Sequence, residues 1–201
     1  MRYILVLILI CSAGPSFAGD PVLGAWGEFS ESGKAGMMIS WLKTQALHEL
    51  SGPKSGAPRK GLGLSANETP LFYGHVGIFI TLVKGKKIRG CYGAFHHRSG
   101  SLEDVMREYL RGALRYDERY RPLAIEELDG TDIIVTITSM PYPVQGVEDL
   151  DISRHGVMVA YEDGGNAVYV PAEMKTRSHL LSSIGNIRAA NIFAFSAVTI
   201  K

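Results

Sequence analysis

Two runs of alternating apolar residues most constrain the fold of this 201-residue chain. From Gly74 to Val83, and again from Asp132 to Ser139, valine, isoleucine and leucine recur at every second position. This alternation of β-branched residues predicts strands. Lys84-Gly85-Lys86-Lys87 follows the first run and predicts a hairpin turn, after which the chain returns through Ile88. The strands are therefore expected to pair antiparallel.

Two apolar stripes at helical spacing predict helices. Ser101 begins the clearer helix, whose stripe runs to Leu114. The other stripe runs from Ile39 to Leu50. The preceding residues 19–36 contain Gly, Ser and Pro without a period, so this stretch is predicted to be an irregular lead-in.

The C-terminal part of the chain adds short strands and one short helix. Gly156 to Tyr161 and Ala167 to Val170 are predicted strands, joined by a Glu-Asp-Gly-Gly-Asn turn. A short helix around Met174 to Ile184 and a strand from Ile192 to Ile200 complete the prediction. Helices between antiparallel hairpins, without regular strand-helix-strand repetition, indicate an α+β fold.

The N-terminus has the pattern of a secretory signal peptide. A basic start at Arg2 is followed by an apolar run from Ile4 to Ile10, and Ser16-Phe17-Ala18 places small residues where signal peptidase cleaves. Residues 1–18 are therefore predicted to be removed, with no membrane span left afterwards. The protein is expected to be exported, to the periplasm or the medium if the organism is a bacterium.

The charge balance excludes an electrostatic role on nucleic acid. Lys and Arg number 21 and Asp and Glu number 20, so the loss of Arg2 leaves 20 of each and a net charge of zero. No attraction to nucleic acid or to an anionic membrane follows. The remaining residues 19–201 suffice for one domain or for two tightly joined lobes.

The segment Ile88-Arg89-Gly90-Cys91-Tyr92-Gly93 holds the one cysteine outside the predicted signal peptide. A leftover thiol in an exported chain is either reactive or a buried, inert apolar group. Activation of Cys91 requires a nearby cation or a helix N-terminus. Arg89 shares a strand face with Cys91 only if the strand continues through Cys91. Otherwise Arg89 pairs with a carboxylate at the junction of the lobes.

The histidines offer candidate bases but no metal site. His96 and His97 precede Ser101 in a polar loop and are expected to be solvated. The spacing of Cys91 to these two histidines is not one that zinc sites use, so no metal is expected. The sequence has no phosphate-binding loop or other common catalytic motif, and no cofactor is expected. His155, at a strand start, remains a possible base for the Cys91 thiol.

Several motifs resemble the AMMECR-one domain family, named after the AMME syndrome chromosomal region. Gly77-Ile78-Phe79-Ile80-Thr81-Leu82 followed by Ile88 to Gly93 is similar to that family's G-[VI]-F-V-T-L and L-R-G-C-I-G signature. The other matching motifs follow in order: Asp117-Glu118-Arg119-Tyr120 with Pro122-Leu123, Asp132 to Pro143, Arg154-His155-Gly156-Val157-Met158-Val159, and Val168-Tyr169-Val170-Pro171. The resemblance runs from about Met37 to Gly185 and is most specific over residues 74–171. It places the domain over residues 37–201.

The resemblance implies a compact α+β domain with antiparallel sheets and flanking helices in two lobes. It places the Arg-Gly-Cys segment at the cleft between the lobes and implies no particular reaction. The first hypothesis is therefore that the cleft binds a small ligand or a protein partner. The residues expected to bind it are Arg89, Gly90, Tyr92, Gly93, Arg119 and Arg154.

Two other hypotheses remain open at this stage. In the first, Cys91 is the nucleophile of a group-transfer or hydrolytic enzyme and His155 is its base. In the second, the domain is an assembly module whose hairpin edges associate. The sequence leaves the oligomeric state undetermined.

Overall fold

A computed structural model describes residues 20–52, 61–162, 164–174, 176–184 and 189–201. The predicted signal peptide, residues 1–18, lies outside these ranges. The helices are α1 (Pro21–Ser30), α2 (Gly33–Ser51), α3 (Leu102–Arg115), α4 (Ile125–Leu128) and α5 (Arg177–Ile184). The strands are β1 (Gly77–Lys84), β2 (Lys87–Ala94), β3 (Thr131–Thr138), β4 (Tyr142–Val144), β5 (His155–Tyr161), β6 (Asn166–Tyr169) and β7 (Ala189–Ile200).

The strands form one antiparallel sheet in the order β2-β1-β3-β7-β5-β6, with β4 also paired to β7. The long strand β7 joins the two halves, because its C-terminal residues pair with β3 and its N-terminal residues pair with β5. The predicted α+β class with flanking helices is confirmed, and the two lobes are halves of one continuous sheet. Strands β2 and β6 lie at the two ends of this order.

Each half of the sheet has its own core. The larger core lies between β1, β3 and helices α1 to α3, and it includes Leu42, Ile80 and Leu110, all essentially inaccessible to solvent. A smaller core packs Val157 and Val159 of β5 against α5. A third cluster, defined by Phe79, Cys91, Val170 and Phe195, contains residues from both halves of the sheet. We call it the junction cluster.

The prediction of an irregular lead-in over residues 19–36 was wrong from Pro21 onward. Asp20 caps α1 by accepting the backbone N–H groups of Val22 and Leu23 at 3.0 and 3.1 Å, and Pro21 occupies the first turn, where its missing N–H costs nothing. Trp26 of this helix is fully buried, and its indole N–H donates to the carbonyl of Leu71 at 2.9 Å. Burial of the aromatic side chains stabilises a helix that its two internal glycines weaken.

The helix predicted from Ser101 is confirmed as α3. The Ser101 hydroxyl accepts the backbone N–H of Asp104 at 3.3 Å and so caps the helix. No helix in the described ranges combines the length and the apolar character that crossing a bilayer requires.

The prediction that His97 is solvated was wrong. Its ring is buried, with Nδ1 2.8 Å from the Tyr109 hydroxyl and Nε2 2.8 Å from the Val76 carbonyl oxygen. Burial lowers the pKa of His97, which keeps the ring neutral. This histidine joins the loop before α3 to the first half of the sheet.

Candidate functional site

A cavity of about 490 Å³ lies along the edge strands β2 and β6. Its walls include three successive residues of β2, Cys91 to Gly93, and four successive residues of β6, Asn166 to Tyr169. Side chains of successive strand residues point to opposite faces, so a cavity that all of them line must run along the edge of each strand. The two edges of the curled sheet therefore border the same space. We call it the edge cleft.

Asp117 fixes the β2 side of the edge cleft. Its Oδ2 accepts the backbone N–H of Cys91 at 2.7 Å. Because this amide is bonded to a side chain, it points away from β1 and toward the free edge. Burial opposes ionisation of Asp117, but the hydrogen bonds from Arg119 and from the Cys91 amide prevail and lower the pKa of the carboxyl group. Asp117 therefore binds as a carboxylate.

Arg119 links the two halves of the molecule across the edge cleft. Its guanidinium donates to both oxygens of Asp117, from Nε to Oδ1 at 2.9 Å and from Nη2 to Oδ2 at 2.8 Å. The same Nη2 lies 3.0 Å from Oε1 of Glu173, which follows β6. The guanidinium also lies over the ring of Tyr120, 5.5 Å from its centre. Arg119 is thus held by carboxylates from both halves.

Glu173 is a buried carboxyl group with one unsatisfied oxygen. It is 8% exposed, and its Oε2 has no hydrogen-bond partner within the described part of the chain. Burial raises the pKa of Glu173, and the nearby charge of Arg119 only partly opposes that rise. No local sequence pattern marks Glu173, because only the folded chain brings the segment after β6 to Arg119.

Cys91 is the floor of the edge cleft and belongs to the junction cluster. It is 8% exposed, and its Sγ accepts the Thr81 hydroxyl at 3.2 Å. Burial raises the pKa of the Cys91 thiol well above its usual value, and the charge of Glu173 raises it further. The structure therefore holds Cys91 as a neutral thiol.

A second cavity, of about 570 Å³, adjoins the edge cleft. The two cavities share Arg119 and Tyr169, which stand between them. The second cavity is further lined by Lys87, Glu173 and His179. The Arg119 ion pairs thus separate two open spaces.

No three His, Cys, Asp or Glu side chains cluster closely enough to hold a metal ion in the described ranges.

Arg89 is directed away from Cys91 by a β-bulge. The pairing of β1 with β2 shifts by one residue after Leu82, which leaves Arg89 as the extra residue between Ile88 and Gly90. Arg89 pairs instead with Glu127, with Nη2 3.1 Å from Oε1 and 3.2 Å from Oε2. The strand does continue through Cys91, but the bulge breaks the alternation on which a shared face depended. Arg89 therefore pairs with a carboxylate, which is the alternative role expected for it from the sequence.

Gly90 permits close packing within the chain. A methyl group on Gly90 would overlap the carbonyl oxygen of Ala113 in α3, and one on Gly112 would overlap the ring of Tyr92. These glycines let α3 approach β2 closely. Tyr92 does border the edge cleft, with its side chain 38% exposed.

Gly93 borders the edge cleft and pairs with Phe79 of β1. A side chain at Gly93 would collide with Phe79, so the Phe79 ring occupies the space that the glycine leaves open. Of the predicted binding residues in the described chain, Tyr92, Gly93 and Arg119 line the edge cleft together with Cys91.

His155 and Arg154 lie away from the thiol. Gly156 faces Phe195 of the junction cluster, so the neighbouring His155 points to the opposite face of β5. The His155 Nδ1 is 3.1 Å from the carbonyl oxygen of Asp151. Arg154 is exposed in the same turn, and its carbonyl accepts the backbone N–H of Ala197 at 2.7 Å. The structure does not bring together the Cys91 and His155 pair that a nucleophilic mechanism needs.

A family model for AMMECR1 matches residues 44–186, which is more than half of the chain. The chain belongs to the AMMECR1 family. The AMMECR-one resemblance of the sequence motifs is thereby confirmed, and the match includes Arg89 to Gly93, Asp117, Arg119 and Glu173. Every residue of the Asp117–Arg119–Glu173 link therefore lies within the AMMECR1 domain.

This AMMECR1 domain is similar to proteins from Thermotoga maritima and Methanosarcina mazei. A Thermotoga maritima protein is 34% identical over 90 residues, covering 44% of this chain and 52% of the relative. A Methanosarcina mazei protein is 30% identical over 116 residues, covering 55% and 56%. The aligned part of the chain spans about half the length of these relatives. Their names state no activity.

A solved structure has the same fold as this AMMECR1 domain. The crystal structure of the uncharacterised protein PH0010 from Pyrococcus horikoshii superposes with a TM-score of 0.57 over 87% of this chain and 90% of that one. The sequences are 18% identical, so the likeness concerns the fold.

Proposed function

We propose that this AMMECR1 domain binds a ligand or a protein partner non-covalently in the edge cleft. The observation that carries the proposal is the cleft itself, an open space of about 490 Å³ bordered by the free edges of β2 and β6. Binding sites are typically concave and combine apolar walls with a few fixed polar groups. Here Phe79 and the tyrosines supply apolar surface, while Asp117 and Arg119 hold each other in fixed positions.

The state of Cys91 supports binding over covalent catalysis. A nucleophilic thiol needs a lowered pKa and a base within hydrogen-bond reach. The pKa of Cys91 is raised by burial, and its hydrogen-bond partner is the hydroxyl of Thr81. With His155 on the other face of β5, Cys91 acts as a part of the cleft floor.

An NMR fragment screen tests the proposal. A library of small fragments is added to the ¹⁵N-labelled protein, and the amide resonances of Tyr92, Gly93 and Arg119 are followed. Some fragments should shift these resonances. The exposed Asn166 borders the edge cleft, so Asn166→Trp should obstruct it and reduce the shifts. Asn191→Trp, at another exposed strand asparagine, should leave them unchanged. A screen with no fragment acting at these residues contradicts the proposal.

We also infer that the protein is exported. The basic start, the apolar run from Ile4 to Ile10 and the small residues around Ala18 support cleavage after Ala18. N-terminal sequencing of the protein from an exported fraction should begin at Gly19. An intact Met1 on protein from the cytosol would contradict export.

A further inference from the structure

Strand β6 has backbone groups that face the edge cleft and have no hydrogen-bond partner within the described ranges. The N–H of Tyr161 donates to the carbonyl of Gly165 at 2.9 Å, so these two residues form a hydrogen-bonded pair in the hairpin of β5 and β6. Hydrogen-bonded positions alternate along an antiparallel ladder. Ala167 and Tyr169 therefore turn their backbone groups toward β5. Asn166 and Val168 turn theirs outward, toward the free edge.

On the opposite wall of the edge cleft, the edge of β2 is covered at Cys91. On β2 the outward amide of Cys91 already donates to Asp117. An unpaired sheet edge is a template for another strand unless the chain covers it. Asp117 covers the β2 edge at Cys91, whereas Asn166 and Val168 of β6 offer outward N–H and C=O groups to a partner.

The size of the edge cleft matches a short extended segment. The product of the rise per residue, the strand spacing and the sheet spacing gives a volume of about 160 Å³ for one residue of a strand. The volume of about 490 Å³ thus corresponds to about three residues. Such a segment lying along β6 would reach both Asn166 and Val168, which are two residues apart.

The rim of the edge cleft favours a basic side chain. Tyr116 at this rim is 64% exposed and Tyr92 is 38% exposed. Glu118 is also exposed there and has no ion-pair partner in the part of the chain that the structure describes. Asp117, in contrast, is already neutralised by Arg119. Tyrosine rings and a free carboxylate together attract Lys or Arg.

The geometry points to a β-strand addition site: an extended segment of a partner protein, carrying a Lys or Arg, pairs antiparallel or parallel with β6 in the edge cleft. This inference rests on the proposed function and names the class of partner. Main-chain hydrogen bonds to Asn166 and Val168 give the affinity, and the basic side chain beside Glu118, Tyr92 and Tyr116 gives the preference.

Selection from a random peptide library tests this inference. A phage-displayed library of heptapeptides is selected on the full protein, with the Val168→Pro variant present as a soluble competitor. Proline removes the outward N–H, and an edge strand is a position where proline is tolerated. The enriched peptides should contain Lys or Arg and should slow hydrogen exchange at the amides of Asn166 and Val168. Glu118→Gln should weaken their binding.

Two peptides that differ only in one N-methyl group test the main-chain hydrogen bonds without changing the protein. Methylation of one backbone nitrogen of the enriched peptide, at the residue facing Val168, should weaken binding by about tenfold. Val168→Thr keeps the backbone N–H and should bind the peptide more tightly than Val168→Pro does. Enriched peptides that bind equally well when this nitrogen is methylated would overturn the inference.

Further outcomes distinguish the failure of this inference from the failure of the proposed function. If fragments bind the edge cleft but no peptide is enriched over the competitor, strand addition is wrong and small-ligand binding stands. If neither fragments nor peptides bind, both fail. Light scattering that shows a dimer disrupted by Val168→Pro, but not by Val168→Thr, would assign the edge to a second copy of this chain and overturn the partner-protein inference.

Discussion

The carboxylate of Asp117 accepts the backbone N–H of Cys91 at 2.7 Å and closes the free edge of β2 at that residue. The same carboxylate binds Arg119, which in turn reaches Glu173 beyond β6. One side chain therefore protects a strand edge and begins the link between the two halves of the sheet. The edge cleft keeps its shape through this link.

Asp117→Asn should lower the free energy of unfolding by about 1.5 to 3 kcal/mol, because it weakens hydrogen bonds to a charged group. Urea unfolding at neutral pH measures the loss. Glu118→Gln is the control, since this exposed neighbour should change stability by less than about 0.5 kcal/mol.

The effect of Asp117→Asn should depend on pH. The folded-state pKa of Asp117 is lowered, so its stabilisation is present above the unfolded value of about 3.9 and is lost as the pH falls through the folded-state pKa. The stabilities of the wild type and the variant should converge in strong acid. A difference in the free energy of unfolding that stays constant down to strong acid would show that Asp117 is not bound as a carboxylate.

Glu173→Gln should remove a pH dependence of the opposite sign. The folded-state pKa of Glu173 is raised, so the folded protein binds more protons than the unfolded chain above about pH 4.3. The free energy of unfolding of the wild type should therefore fall as the pH rises through the folded-state pKa of Glu173. The glutamine variant should lack this decrease. Urea unfolding at a series of pH values measures this contribution.

At pH 7 the Glu173→Gln variant should be at least as stable as the wild type. Its amide replaces a buried carboxylate whose charged form is unfavourable there. A variant less stable than the wild type by more than about 1.4 kcal/mol, a tenfold change in the equilibrium constant, would mean that the ion pair with Arg119 outweighs the cost of burial.

Gly90→Ala should destabilise the protein by about 1 to 3 kcal/mol, because the added methyl group would overlap the carbonyl oxygen of Ala113. Gly36→Ala is a matched control. Gly36 lies inside α2 with open space around it, so alanine there should stabilise the helix by about 0.5 to 1 kcal/mol. Thermal unfolding of both variants distinguishes them. Equal stability of Gly90→Ala and wild type would remove close packing as the reason for this glycine.

Arg89→Met should leave fragment binding at the edge cleft unchanged, because the bulge directs Arg89 to Glu127. The fragment titrations that define the cleft provide the measurement, with Arg119→Met as the comparison that should weaken binding. Loss of binding in Arg89→Met, with a native spectrum, would restore Arg89 as a binding residue.

The sequence predicts the elements of this fold well where a periodic pattern decides the structure. The β1 hairpin, α3 and the short strands after residue 155 follow from alternation, helical stripes and turn residues. Helix α1 was missed because Gly24 and Gly27 weaken its local signal. Its helical state depends on burial of Trp26, which is a contact between distant parts of the chain.

The candidate site was only partly predictable. The motif residues Cys91, Tyr92, Gly93 and Arg119 do meet at one cleft. A one-residue bulge removes Arg89, and strand alternation places His155 on the other face, because such register details are not visible in the local pattern. Glu173 joins the site through tertiary structure alone.

Alkylation of Cys91 with iodoacetamide across a range of pH tests most directly whether the edge cleft binds without covalent chemistry. Burial holds Cys91 as a neutral thiol, so the folded protein should react far more slowly than the urea-unfolded chain, with an apparent thiol pKa above about 8.5. Rapid alkylation of the folded protein at neutral pH, with an apparent pKa below about 8.5, would identify an activated nucleophile and contradict a cleft that binds without covalent chemistry.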